Sequence, residues 1–320
     1  MIAARSYAAF AHACLVILSA NAQAEEAPIS RIGVVAAPVA YQQGLRDGLL
    51  KLGFIEGKNI VIDARQAGGS VDELRALATN LLQSKPDVIV AFGTAAVRVA
   101  LELGTAPIVF YSSDPVASGL VTSLARPGGN ATGVSSSGVE LTAKRVELLR
   151  QFLPRARRIG CLVNTSNPVG ALQLEQAKKA ARALGLELVK LDAHDDVEVE
   201  AVLRAIRPSA LDEILVTGDN LLLANRLKIS KVVRNAKVPA MSPVREFLGE
   251  GILVSYGPSV REAGRMTAVY VGKILKGAKP ADLPVEEVSK FELVIDLRVA
   301  RELGLKVSQD LLYRADEVIR

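Results

Sequence analysis

A chain of 320 residues, half of them apolar, with 4% aromatic residues and no Trp, is long enough for two domains with cores of their own. The formal charge of +5 is spread along the chain with no Lys/Arg block, which gives nucleic-acid binding no support. Two cysteines, Cys14 and Cys161, are too few for a disulfide framework or a cysteine-based metal cluster.

The chain opens with a basic residue, Arg5, then an apolar run from Ala8 to Ala20 interrupted only by His12, then Ala22-Gln23-Ala24 before the polar Glu25-Glu26. That order is a secretory signal peptide, residues 1–24, too short for a stable membrane span. Cys14 lies inside its hydrophobic core, which is wrong for a lipid attachment site. The expected mature protein is soluble, exported to the periplasm, and keeps Cys161 and His194.

Apolar runs and helical spacing then alternate. Ile32 to Ala36 predicts a strand, Ala40 to Leu52 a helix stopped by Gly53, Asn59 to Ala64 a strand, and Val71 to Gln83 a helix with Leu74, Leu77, Ala78 and Leu81 on one face. Asp87 to Phe92 predicts a strand ending in Gly93-Thr94-Ala95, where Thr94 can cap the next helix. Ile108 to Tyr111 is a buried strand, and Ser112-Ser113-Asp114-Pro115 after it reads as a helix start with Asp114 as cap. The irregular stretch 125–138 reads as a loop, and Glu140 to Leu153 as an amphipathic helix beside which the chain first changes lobe.

A second series follows: strand Ile159 to Val163, helix Pro168 to Leu184, strand Leu186 to Leu191, helix Val197 to Ile206, and strand Ile214 to Val216 leading into Thr217-Gly218-Asp219-Asn220. A helix through about Asn235, strands Val238 to Met241 and Ile252 to Ser255, helix Arg261 to Leu275, a Pro/Gly-rich linker between the lobes at 277–284, and a strand Phe291 to Asp296 with a helix complete the chain. Such alternation is an α/β architecture with parallel sheets covered by helices. The stretch 112–116 is echoed at Thr165-Ser166-Asn167-Pro168-Val169, so each half offers a helix start at its strand ends, where open α/β sheets bind ligands.

Several separated motifs, in order, resemble one family. They are Arg31-Ile32-Gly33-Val34, the Gly53–Ile60 stretch, Asp114-Pro115-Val116 with Gly119-Leu120-Val121, Leu124–Asn130, Ser255–Pro258 and Lys290–Ile295. Together, from about residue 31 onward, they are similar to ABC transporter substrate-binding proteins of the type I periplasmic binding fold. The resemblance implies two Rossmann-like lobes joined by a hinge, closing over a small solute that is passed to an ABC permease and its ATPase subunit. Characterised relatives bind aromatic amino acids such as tryptophan. The expected lobes are 31–153 plus about 258–284, and 154–257 plus about 285–320; the protein is expected to act as a monomer, without cofactor or metal.

The expected ligand-binding residues are those at strand ends facing a shared cleft: Ala37, Tyr41, Gly93, Thr94, Ala95, Ser112, Ser113 and Asp114 in the first lobe, and Thr165, Asn167, Thr217, Asp219, Ser242 and Tyr256 in the second. For a zwitterionic solute, Asp114 is expected to meet an ammonium or hydroxyl group. The neutral helix starts at Thr94 and Asn167 suit a carboxylate, which helix N-termini favour. Each cap is equally explained by helix termination alone. Tyr41 and Tyr256 are candidates for an apolar wall, with Tyr111 turned to the core, and Gly93, Gly218 and Gly257 follow strands where tight turns are needed. His194, in Asp192-Ala193-His194-Asp195-Asp196, reads as a solvated loop. No nucleophile elbow, Walker A motif or His/Cys pair supports an enzyme. A sensor that hands its closed lobes to a signalling partner stays open as the alternative to transport.

Overall fold

The computed structural model describes residues 29–66, 70–104 and 106–320; the signal peptide expected over 1–24 lies outside them. The first series comprises β1 (Ser30–Val35), α1 (Val39–Lys51), β2 (Ile60–Arg65), α2 (Val71–Leu82), β3 (Val88–Phe92), α3 (Thr94–Leu103), β4 (Ile108–Ser112) and β5 (Ala131–Ser135). The second runs α4 (Glu140–Phe152), β6 (Arg158–Val163), α5 (Pro168–Ala183), β7 (Glu187–Asp192), α6 (Asp196–Leu203), β8 (Glu213–Val216), α7 (Asn220–Ala224), α8 (Arg226–Ala236), β9 (Ala240–Ser242) and β10 (Val254–Pro258). The chain ends with α9 (Val260–Leu275), β11 (Glu286–Glu287), β12 (Phe291–Asp296), α10 (Leu297–Glu302), α11 (Gln309–Arg314) and β13 (Glu317–Ile319).

These strands form two sheets. One is six-stranded, in the order β11-β5-β4-β3-β1-β2, with every pairing parallel. The other is seven-stranded, β13-β12-β10-β9-β8-β6-β7, parallel except where β12 runs antiparallel to β10. Burial of every residue of β3 and β4 fits strands covered on both faces by helices. The molecule is therefore an α/β protein of two Rossmann-like lobes.

Three passages join the lobes. The first is residues 136–139, between β5 and α4. Helix α4 puts Val146, Leu148, Leu149 and Phe152 into the core that also contains Ile159, Cys161 and Leu174, so it belongs to the second lobe. The boundary expected at 153 thus moves upstream of the helix, because the apolar face of α4 packs on α5 and not on the first sheet. The second passage leads from β10 to α9, which returns to the first lobe and lies against α1. There a Cβ on Gly44 would stand 1.9 Å from the Arg261 carbonyl oxygen, and one on Gly264 2.2 Å from that of Tyr41; the two glycines allow the helices to touch backbone to backbone. The third passage is 288–290, after β11 has paired with β5, so the first lobe extends past the expected end at about 284. The segment 277–284, expected to link the lobes, stays on the first, where the Leu283 and Pro284 carbonyls accept from Thr132 and Tyr270.

Other expectations are corrected locally. No α-helix follows Asp114: its φ is +40°, and 115–119 is a run of turns in which the Asp114 carbonyl accepts from Ser118 N (3.0 Å) and Ser118 Oγ (2.8 Å). The loop expected at 125–138 contains the buried strand β5. The long helix expected after Asp219 is broken at Asn225 into α7 and α8. Among the described residues no helix is long and apolar enough to cross a membrane.

Candidate functional site

The carboxyl ends of both sheets' parallel strands face each other across a cleft of about 660 Å³ of space between atoms, part of it open to solvent. From the first lobe come Gly93 and Thr94 after β3, and Ser112 and Ser113 at the end of β4. Ser136 and Gly138 of the first passage join them. Thr94 Oγ1 and Ser112 Oγ are 2.7 Å apart, as are Ser113 Oγ and Ser136 Oγ at 2.8 Å, so a chain of hydroxyls lines this wall. Beside it stand Phe92 and Tyr111, stacked with ring centroids 5.2 Å apart. Tyr111 faces the core as expected, 5% exposed and packed with Tyr41 and Phe92, and it also borders the cleft.

The second lobe contributes Asn167 at the start of α5, Gln173 within it, and Thr217, Gly218, Asp219 and Asn220 after β8. Leu223, Pro243, Val244 and Phe247 supply its apolar wall. Asp219 caps α7 by accepting from Leu221 N at 2.9 Å, and takes side-chain amide bonds from Asn167 (2.7 Å) and Asn164 (3.3 Å). Burial pushes its carboxyl pKa above the ordinary aspartate value, and those amides hold the rise back. Gln173, wholly buried, fixes the turn through its Oε1, which accepts from Gly218 N at 3.0 Å.

Arg145 lies where the lobes meet. It is 2% exposed, borders the cleft, and donates from Nε to the Tyr256 carbonyl (2.8 Å) and from Nη1 to the Gly138 carbonyl (3.2 Å). Among the described residues it forms no ion pair, and its Nη2 makes no hydrogen bond. Burial lowers its pKa to about 10, which still leaves it cationic at neutral pH. A buried cation without a counter-charge is costly, several kcal/mol on the order of magnitude, and here it faces a cavity.

Of the expected site residues, Gly93, Thr94, Ser112, Ser113, Asn167, Thr217 and Asp219 border this cleft; the others do not. Tyr41 is fully buried on the stripe it shares with Leu45 and Leu49, its hydroxyl donating to Thr267 Oγ1 at 2.7 Å. Ala95 packs on the core beneath α3. Ala37 is buried beside a separate interlobe hollow bordered by Gln66, Arg226 and Glu246. Asp114, turned aside by its left-handed backbone, borders another hollow with Glu140 and Glu287. Thr165 is occupied by Asp192, its Oγ1 donating at 2.6 Å. Ser242 is wholly buried and donates to the Val244 carbonyl at 2.9 Å. Tyr256 lies within β10, which runs on to Pro258, and its ring packs toward the second-lobe core and Phe291. Gly218 also borders the cleft, whereas Gly257 does not. His194 sits at the surface between carboxylates, 3.2 Å from both Asp192 and Glu198.

Arg145 and Asn220 are the principal cleft residues that the strand-end reasoning missed. Arg145 carried a signal: it falls four residues after Leu141 and three and four before Leu148 and Leu149, on the buried stripe of α4. A charged residue on an apolar stripe is informative in a way that an exposed one is not.

Known proteins bear on this geometry. A family model described as ABC transporter substrate binding protein matches residues 34–319. A tyrosine-binding protein of Clostridioides difficile is 27% identical over 272 residues, 84% of this chain and 78% of that protein. A solved structure from Streptococcus pneumoniae, an ABC domain in complex with L-Trp, is 26% identical and superposes with a TM-score of 0.82, covering 91% of this chain and 99% of that one. A ligand-free, open substrate-binding protein with adhesive properties from Clostridium difficile, 27% identical with the same coverage, superposes at 0.62.

Proposed function

Because the chain belongs to the ABC transporter substrate-binding protein family, we propose that it carries an α-amino acid with an aromatic or other large apolar side chain between its lobes. The observation that carries this reading is Arg145, a buried cation bordering the cleft with no counter-charge from the protein. A solute carboxylate supplies the counter-charge, and charge-assisted bonds of this kind are the strong ones. Asp219, in the same cleft, suits the ammonium group. Phe92, Tyr111, Leu223 and Phe247 offer an apolar surface for the side chain. The roles expected of Thr94 and Asn167 pass to Arg145, and that of Asp114 to Asp219.

The relatives support the solute class, since one is described as binding tyrosine and another is solved with L-Trp. They also support closure. At nearly equal identity and coverage the chain matches the L-Trp complex better than the ligand-free, open structure, as a closed arrangement of lobes would. Solute contacts to both lobes favour the closed form in proportion to the difference in affinity between the two states. Export through cleavage after Ala24 and delivery of the solute to an ABC permease complete the proposal.

Titration calorimetry with L-tyrosine and L-tryptophan tests the reading, with mass spectrometry of any small molecule retained on gentle purification. Saturable binding of either amino acid is expected. A retained solute without a carboxylate, together with no binding of either amino acid, would refute it.

A further inference from the structure

Arg145 does more than face the cleft, because it ties the first passage between the lobes to β10, the strand that leads into the second. Gly138 belongs to the first passage, and Tyr256 lies within β10; one guanidinium holds both carbonyls, at 3.2 and 2.8 Å. Two close approaches keep it there. A Cβ on Gly257 would lie 1.9 Å from the Pro243 carbonyl oxygen and 3.3 Å from Arg145 Nη2, so only glycine lets β10 and the segment after β9 close around the side chain. A Cβ on Gly138 would lie 2.5 Å from Ser113 Oγ, which presses the first passage against the hydroxyl wall of the cleft. Between that wall and α4, Ser137 adopts a φ of +51°, a left-handed conformation seldom taken by residues other than glycine.

We infer that Arg145 couples the charge of the solute to the angle between the lobes, so that a carboxylate decides whether the cleft closes and not merely how tightly a solute is held. This rests on the reading of the solute as an amino acid. Closing strips the remaining water from a cation that the protein leaves unpaired, and that cost opposes closure of the empty protein. A carboxylate seated on Nη2 removes the cost only when the cleft is shut. The other two nitrogens fasten the guanidinium to the first passage and to β10, the strand that leads into the second, so the anion's pull is transmitted to both. A solute of equal shape without the anion fills the cleft and leaves the passages unlocked.

The test is the distance between fluorophores at Val39→Cys and Leu227→Cys, exposed positions on opposite lobes, with the buried Cys161 left in place. In otherwise unaltered protein, L-tyrosine should shorten the distance, whereas L-tyrosinamide, which keeps the ammonium and ring but lacks the carboxylate, should bind at least ten-fold more weakly and leave the distance near its empty value at saturation. Arg145→Met should abolish the shortening by L-tyrosine. Should that variant fail to fold, Arg145→Lys, which keeps the charge but not the paired carbonyl bonds, should show weaker binding and a reduced shortening. Full closure by saturating L-tyrosinamide, or full closure of either variant by L-tyrosine, would overturn the coupling while leaving the amino-acid reading intact. Absence of binding by both L-tyrosine and L-tryptophan in unaltered protein would overturn that reading and the coupling with it.

Discussion

Asn220, at the start of α7 in the second lobe, donates its side-chain amide to the main-chain carbonyl of Phe92 in the first, at 2.8 Å. The same amide group occupies the space beside Gly93, where a Cβ would stand 1.8 Å from Asn220 Oδ1. Gly93 has a φ of +86°, so both the backbone and the neighbouring lobe call for glycine there. This is a direct hydrogen bond between lobes beside the cleft, and it is expected to form only while the lobes are together.

Asn220→Ala should therefore weaken solute binding without much loss of stability in the empty protein. One net hydrogen bond contributes ~0.5–1.5 kcal/mol, or roughly two- to twelve-fold in affinity. Calorimetry with L-tyrosine reads the affinity, and melting of the solute-free protein reads the stability. A lower melting temperature with unchanged affinity would mean that the bond persists in the open protein.

Tyr41 gives the opposite expectation. Its hydroxyl is paired with Thr267, which in turn donates to the Ala263 carbonyl at 2.9 Å, all beneath the contact of α1 and α9. Tyr41→Phe should cost ~1 kcal/mol of folding stability and leave solute affinity unchanged within error. An affinity change beyond three-fold would return this residue to the site.

Glu213 predicts a pH dependence. It is wholly buried at the start of β8 and both carboxyl oxygens lack a hydrogen-bond partner among the described residues. Burial pushes its pKa up to about 8 from an ordinary 4.5. Between these values the unfolded chain has released the proton and the folded one still holds it. Stability therefore falls as pH rises through this window, by an amount on the order of a few kcal/mol if the shift is fully realised. Denaturant unfolding at pH 5, 7 and 9 should show the decline, and Glu213→Gln should flatten it. Equal slopes in the two proteins would place the proton elsewhere.

Local pattern revealed the layered architecture because buried parallel strands are short apolar runs: Ile32 to Val35, Val88 to Phe92 and Ile108 to Tyr111 stand out between turn residues. Strand β5, Ala131-Thr132-Gly133-Val134-Ser135, did not, because its residues are mostly small and its neighbour demands a glycine at its centre: a Cβ on Gly133 would lie 2.1 Å from the Phe110 carbonyl oxygen. A small-residue strand reads as a loop. Asp114-Pro115 carried a helix signal that the chain does not use, since a left-handed Asp114 sends the following residues into turns. Which lobe α4 joins was decided by where its apolar face found a partner, and no local pattern carries that information. Arg145 was hidden for the same reason. Its importance arises from two carbonyls 7 and 111 residues away in sequence.

Asp219 supplies the sharpest test of the site. Its carboxylate already accepts amide bonds from Asn167 and Asn164 and caps α7; an asparagine in its place can still cap but carries no charge. Asp219→Asn should therefore fold, and should bind L-tyrosine more weakly by ~1.5–3 kcal/mol, ten-fold or more, through loss of a charge-assisted contact to the ammonium group. The deaminated analogue 3-(4-hydroxyphenyl)propionate should bind the variant and the unaltered protein alike. The two proteins should also differ with pH. Because burial raises the Asp219 pKa, the empty folded protein holds this proton more tightly than the unfolded chain does, and this group favours folding more as pH falls from the folded value towards the unfolded one. The same protonation removes the anion that meets the ammonium, so affinity for L-tyrosine should fall on acidification, beginning at a higher pH than an exposed aspartate would give. Affinity of the Asp219→Asn variant should stay flat over that range. If both proteins lose L-tyrosine affinity in parallel on acidification, or if the variant binds L-tyrosine undiminished, the ammonium is held elsewhere and Asp219 serves only to cap α7.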